Sequence, residues 1–279
     1  MSRVAIATSR GIDDPDHPLL FRALADAGVT ADLAIWNDAA VRWDDYDLVV
    51  LRSTWDYSAH RDDFLAWART IARLENPLAV VEYSSDKIYL ADLEVRGVSI
   101  IPSHFAAVGE APEFFVGDFV VKPRVGAGSN DALRYHEGEE EAATRHIEAL
   151  HQRGRDVLIQ PYIHSVDMIG ERALIFIDGR YSHAITKGAM LNVLPDERDF
   201  HYRRKQIRAA VAEDDAIAMA SGVLATMGFD SLLYARVDLV ATIRGWLVME
   251  VELVEPSLFL SFSESSAPLL ANAIAARLK

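Results

Sequence analysis

The chain contains no cysteine, which rules out disulfides, thiolate-bound metals and a cysteine nucleophile. Long apolar runs are missing too: no stretch reaches the ~18 apolar residues of a membrane span. The opening MSRVAIATSRGIDDPDH lacks the apolar run of a secretory signal, so a cytoplasmic protein without membrane attachment is expected. Basic residues are scarce, with 28 Lys and Arg against 42 Asp and Glu, a formal charge of −14. That balance argues against nucleic acid as a partner but permits a small anion held by a local positive site. No G-x-S-x-G elbow exists, and no pair of histidines has H-x-x-x-H spacing. The loop Gly126-Ala127-Gly128-Ser129-Asn130 lacks the Gly-Lys-Ser/Thr of a phosphate loop. It is not a dinucleotide fingerprint either, since Asp131 stands at the sixth position where glycine is needed.

What is present is a large apolar fraction, 51% of 279 residues, enough for two domains or one elaborated domain. Val4 to Ala7 reads as a buried strand, residues 17–27 as a helix ending near Gly28, and residues 29–35 and 46–51 as further strands. This pattern predicts an open parallel α/β sheet, whose ligands collect beyond the strand carboxyl ends. From Ser85 onward the pattern changes. A helix is predicted over 85–95 with Ser85 as its cap, and strands over 119–123 and 157–160. A hairpin is predicted around Asp178-Gly179, a helix over 213–227, and two strands over 234–240 and 246–253.

Three groups of residues carry chemistry. Lys87 begins the predicted helix and Lys122 ends a strand beside the glycine loop, where an ammonium and loop N–H groups suit phosphate oxygens. Read alone, a strand-end lysine such as Lys122 is more often a solvated surface residue. Glu250 and Glu252 share one face of a strand, and Asp238 joins them if the two strands pair. Unpaired carboxylates so close need a cation, and oxygen-only ligation selects magnesium, manganese or calcium; otherwise the glutamates simply face solvent. Arg52, Thr54, Trp55, Asp56 and Tyr57 leave the third strand at its carboxyl edge and suit a zwitterionic amino acid. In that reading Arg52 takes the carboxylate, Asp56 the ammonium, and Trp55 and Tyr57 form walls. The other reading pairs Arg52 with Asp56 and packs both rings into the domain seam.

The order Lys87, Lys122, glycine loop, Leu158-Ile159-Gln160-Pro161-Tyr162-Ile163, Arg172, Lys187, Asp238, Glu250-x-Glu252 resembles the ATP-grasp superfamily of ligases. It is most similar to the branch of glutathione synthetase and the ribosomal-protein-modification ligases. The resemblance implies an ATP-grasp domain over 85–279, with a lid at about 103–163, behind an α/β pre-ATP-grasp domain over 1–84. It implies ATP and Mg2+, or Mn2+ in its place, as cofactors. Lys87 and Lys122 would meet the phosphates, Gly126, Gly128 and Ser129 would form the lid loop, and Gln160, Pro161, Tyr162 and Ile163 would hold adenine. Asp167 would take the ribose hydroxyls, and Asp238, Glu250 and Glu252 would hold the metal. Arg172 and Lys187 would face the transferred phosphate or the adenine, and Arg203 or Arg204 the acyl phosphate.

Two departures stand out. Glu252 occupies a position where the superfamily usually has asparagine, and Arg203-Arg204-Lys205 lacks the expected Gly-Gly. The segments 51–57, 83–90 and 252–259 resemble a smaller subgroup that includes the cyclo-ligase of D-cycloserine biosynthesis. That implies phosphorylation of the O-ureido-D-serine carboxylate and ring closure by the substrate's own nitrogen. Intermolecular ligation of an amino acid or peptide to an amine uses the same machinery, and a nucleotide-binding regulator without turnover is the remaining alternative. Ligases of this type are often dimers, so the resemblance also allows a homo-oligomer.

Overall fold

The N-terminal third alternates strand and helix because its apolar residues switch between a two-residue and a 3.6-residue period. In the computed structural model, which describes residues 2–192 and 205–279, four strands form a parallel sheet in the order β2-β1-β3-β4. They are β1 (Arg3–Thr8), β2 (Thr30–Ile35), β3 (Leu48–Ser53) and β4 (Leu74–Glu75). Val4, Ile6, Leu48 and Val50 line one face, and Ala5, Ala7, Val49 and Leu51 the other, so both faces need cover. Helix α1 (His17–Asp26) supplies Leu20 and Leu24 to the first face and ends before Gly28, whose φ of 74° is left-handed. Helix α2 (Arg61–Ala68) supplies Phe64 and Leu65 to the second. Strand β3 starts later than the sequence suggests and runs on through Ser53, so Arg52 belongs to the strand rather than to the loop after it.

The 85–95 helix also differs from expectation. Helix α3 (Leu78–Ser84) ends there, a turn follows, and α4 (Tyr89–Val95) begins afresh. Asp86, not Ser85, caps this turn by accepting the Ile88 N–H at 3.0 Å, because Arg124 holds its carboxylate at 2.7 Å. The Ser85 hydroxyl meets Arg61 instead.

Two antiparallel sheets make up the rest. One, in the order β5-β8-β6-β7, contains β5 (His104–Ala106), β6 (Phe119–Pro123), β7 (Leu133–Tyr135) and β8 (Val157–Pro161). It is backed by Ala143, Ile147 and Leu150 of α5 (Glu140–His151). The other, in the order β11-β10-β9-β12-β13, contains β9 (Glu171–Ile177), β10 (Arg180–Lys187), β11 (Ile207–Ala210), β12 (Tyr234–Thr242) and β13 (Gly245–Glu252). Asp178 and Gly179 join β9 to β10 with φ of 50° and 71°, both positive as a tight two-residue hairpin turn requires. Helix α6 (Ser165–Ile169) precedes β9, and α7 (Asp214–Met227) with α4 covers one face of this sheet. The closing helix α8 (Ser266–Arg277), which the sequence did not suggest, returns to pack on α1. It merges Val4, Ile6 and Leu20 with Ala173 and Ile175 into one core spanning both sheets.

Asn76 bolts this junction. Its amide donates to the carbonyls of Tyr234 at 2.9 Å and Leu253 at 2.7 Å and accepts the Leu233 N–H at 2.8 Å, all buried. Asn76→Ala orphans three backbone groups and should lower stability by about 2–4 kcal/mol. A chemical-denaturation midpoint equal to the wild type would show that the junction does not depend on it.

Candidate active site

Antiparallel register decides what the five-stranded sheet presents. Lys187 lies opposite Glu171, Asp238 opposite Glu250, and Arg236 opposite Glu252, so these side chains share one face. One oxygen from each of Asp238, Glu250 and Glu252 can be chosen so that all three lie within 4.8 Å of one another. The expectation that these carboxylates are unpaired is corrected by the structure. Asp238 meets Lys187 at 2.7 Å and Arg236 at 2.9 Å, Glu250 meets Lys87 at 2.9 Å, and Glu252 is bonded to Arg236. Lys187 also holds Glu171 at 2.5 Å. A buried carboxylate cluster survives only with such partners, and the protein supplies them itself.

Compensation is uneven. Burial disfavours the Asp238 carboxylate, but Arg236 and Lys187 outweigh it and hold its pKa at about 2. Burial also opposes the Glu250 charge, yet Lys87 and Lys122 bring its pKa below the ordinary value. Glu252 goes the other way, pushed up to about 7 by burial and by Glu250 and Asp238 against the pull of Arg236. Glu255, in the loop after β13, is raised to about 8 by burial and then by Glu252. The donors are all hard oxygens, and they fit a divalent cation such as magnesium.

Lys87 sits in the α3–α4 turn and also donates to the Gly126 carbonyl at 2.8 Å, joining the glycine loop to the acidic face. Lys122 lies on the same side of β6 as Leu158 and Gln160 do on β8. Burial depresses its ammonium below the ordinary lysine value, Glu250 pulling it up and Lys87 pushing it down. No hydrogen bond or ion pair joins Lys122 to any of the described residues. In the loop, Gly128 and Ser129 have positive φ. Gln160 donates to the Ser103 hydroxyl at 2.9 Å, Pro161 ends β8, and Ile163 follows Tyr162. The Tyr162 hydroxyl donates to Asp167 at 2.5 Å, with Asn192 and Arg134 also on that carboxylate.

Other candidates are redirected. Strand alternation turns Arg172 away from its neighbour Glu171, onto the α7 face, where it pairs with Glu213 at 2.8 Å. Arg172 is therefore on the far side of the sheet from the carboxylates, contrary to expectation. Arg203 lies outside the described residues. Arg52 is 0% exposed; it donates to the Pro256 carbonyl at 2.9 Å and to Asp16 at 3.4 Å, so it neither pairs with Asp56 nor reaches a ligand. Asp56 accepts from Trp36 at 2.7 Å and from Ser9. Thr54 is fully buried, Trp55 donates to the Glu255 carbonyl at 3.2 Å, and Tyr57 packs on Phe64. Sequence reasoning missed Glu171 and Glu255 as members of the site. It also missed Arg236, although its two-residue step from Asp238 inside a strand was a usable signal.

Comparison with known proteins agrees with this architecture. Residues 4–79 match the family described as the N-terminal domain of the D-cycloserine synthetase DcsG. The D-alanine–D-alanine ligase of Bacillus anthracis complexed with ATP has the same fold, with a TM-score of 0.67 at 15% identity over 100% of this chain and 98% of that one. The RimK-domain ATP-grasp protein of Sphaerobacter thermophilus scores 0.68 at 17% identity over 99% of each chain. The fold is thereby that of the ATP-grasp proteins. The cycloserine biosynthesis protein DcsG of Streptomyces lavendulae is 41% identical over 286 aligned residues, 95% of each chain. A crystal structure of D-cycloserine synthetase DcsG gives a TM-score of 0.90 at 37% identity, both chains being covered in full. The chain belongs to this D-cycloserine synthetase family of ATP-grasp ligases.

The two lysines differ in a measurable way. Lys87→Met strips Glu250 of its ion-pair partner and should cost about 3–5 kcal/mol of stability, whereas Lys122→Met should leave stability within about 1 kcal/mol. Denaturant titration of both variants decides this, and equal losses would contradict the pairing described here.

Proposed function

We propose that this ligase uses ATP, with magnesium, to phosphorylate the carboxylate of O-ureido-D-serine. The substrate's own ureido nitrogen then displaces phosphate and closes the five-membered ring of D-cycloserine, and the carbamoyl group is transferred to water as carbamate. The observation that carries this reading is the 41% identity, along 95% of both chains, to a protein of cycloserine biosynthesis.

A carboxylate is a poor electrophile, and phosphorylation gives it a leaving group. Asp238, Glu250 and Glu252 would hold magnesium, which supplies neutralisation of charge on the transferred phosphoryl group. Lys122, with no partner among the described residues, is the ammonium most available to phosphate oxygens, and Lys87 joins it. The loop of Gly126, Gly128 and Ser129 would cover the phosphates and exclude water from the acyl phosphate. The backbone of residues 160–163 would hold adenine, and Asp167 the ribose hydroxyls. Lys187 and Arg203 are assigned to the reacting groups. The division into residues 1–84 and 85–279, with a lid near 103–163, and a cytoplasmic location go with the same reading. Among the described residues no helix is long and apolar enough to cross a membrane.

Turnover is read as ADP release with O-ureido-D-serine. Glu250→Gln should abolish it while the protein stays folded, because the glutamine keeps the shape and the Lys87 ammonium keeps the Gly126 carbonyl and the attraction of Glu252 and Glu255. Lys122→Ala should weaken ATP binding in calorimetry by about 1–3 kcal/mol, the scale of a hydrogen bond to a charged group. Normal turnover by Glu250→Gln would remove the metal assignment. Consumption of a second amine for each ADP released would replace cyclisation by intermolecular ligation.

A further inference from the structure

The loop after β13 is held by its backbone and left open at one side chain. Three successive carbonyls accept from side chains of other elements: Val254 from the Tyr234 hydroxyl at 2.9 Å, Glu255 from Trp55 at 3.2 Å, and Pro256 from Arg52 at 2.9 Å. Just beyond, Asp16 accepts the N–H groups of Leu258 and Leu260 at 3.1 and 2.8 Å. Such anchoring fixes where Glu255 can point. The residue is only 6% exposed, yet its carboxylate makes no hydrogen bond or ion pair with any described residue. Tyr57 is likewise a buried residue; its hydroxyl has no hydrogen bond to a described residue and feels Glu255 more than any other charged group. Leaving a carboxylate buried without a partner is expensive unless something else supplies one.

We propose that Glu255 receives the α-ammonium of the amino acid being activated, with the Tyr57 hydroxyl donating to an oxygen of the same ligand. The charged groups that act on it most strongly are Glu252, Arg236, Lys87 and Glu250, so an ammonium bound to Glu255 would keep the adjoining carboxylate beside the acidic face assigned to phosphate transfer. Asp56, the residue that composition alone suggested for the ammonium, is already committed to Trp36 and Ser9. Arg52 and Trp55 then act on the substrate only through the loop they anchor.

This rests on the reading that the activated acid is an α-amino acid, and the test separates the two. Glu255→Gln keeps the shape and should melt no lower than the wild type, since it removes a charge beside Glu252 and Glu250. It should raise KM for O-ureido-D-serine about 30-fold while KM for ATP changes less than about threefold. The decisive probe is 3-(ureidooxy)propanoate, which lacks the α-amino group. Wild type should prefer O-ureido-D-serine over it by about 100-fold in kcat/KM, and Glu255→Gln by less than about fivefold. If the variant discriminates as strongly as the wild type, or if both KM values rise equally, the assignment is overturned. Should the wild type instead turn over a different amino acid, the substrate named above falls, and that acid with its des-amino analogue decides Glu255 in the same way. Preference for acids without an α-ammonium would overturn both.

Discussion

Charge compensation in a buried space is the constraint on which the site depends. The face of the five-stranded sheet carries Glu171, Asp238, Glu250 and Glu252, with Glu255 just beyond. Their cations come from four separate elements: Lys87 from the α3–α4 turn, Lys122 from β6, Lys187 from β10 and Arg236 from β12. None of these carboxylates would remain ionised away from water without such neighbours. Bringing the sheets together and neutralising the acids are therefore a single event. The residual imbalance is equally telling, because Glu252 and Glu255 remain raised to about 7 and about 8. A protein built only for stability would have filled that deficit with hydrophobic groups. In the proposed reading, this one leaves it for cations that arrive with the ligands.

The N-terminal sheet serves that site indirectly. Its third strand and the turn after it send Arg52 and Trp55 to loop carbonyls near residue 255 rather than to solvent. Asn76 ties β12 and the end of β13 from the same side, and Tyr234 returns a hydroxyl to Leu51 at 2.6 Å. Polar residues at a sheet edge thus became scaffold, holding the geometry of an acidic loop that belongs to the other end of the chain.

Several features were readable because their causes are local. The Asp178-Gly179 hairpin, the helix ending before Gly228 and the shared face of Glu250 and Glu252 follow from backbone preference and strand period alone. The ordered lysines, glycine loop and acidic pair carried the family resemblance for the same reason. Arg172 shows the limit. Its charge and spacing suited catalysis, but only the pairing of β9 with β10 and β12 decides which face a residue takes, and a one-residue step reverses it.

By itself, then, the sequence determined the kinds of chemistry available: oxygen ligands without thiols, ammonium groups for phosphate, and an α/β entry into a mixed sheet domain. Tertiary structure alone decided which groups remain free to act. Arg52 and Asp56 look available in a linear reading, yet both are held by partners from distant parts of the chain. Glu255 looks like a loop residue, yet it is buried, and its carboxylate has no partner among the described residues. The physical reason is that a charged group's reactivity depends on what compensates it, and here most of the compensating residues lie scores of positions away in sequence.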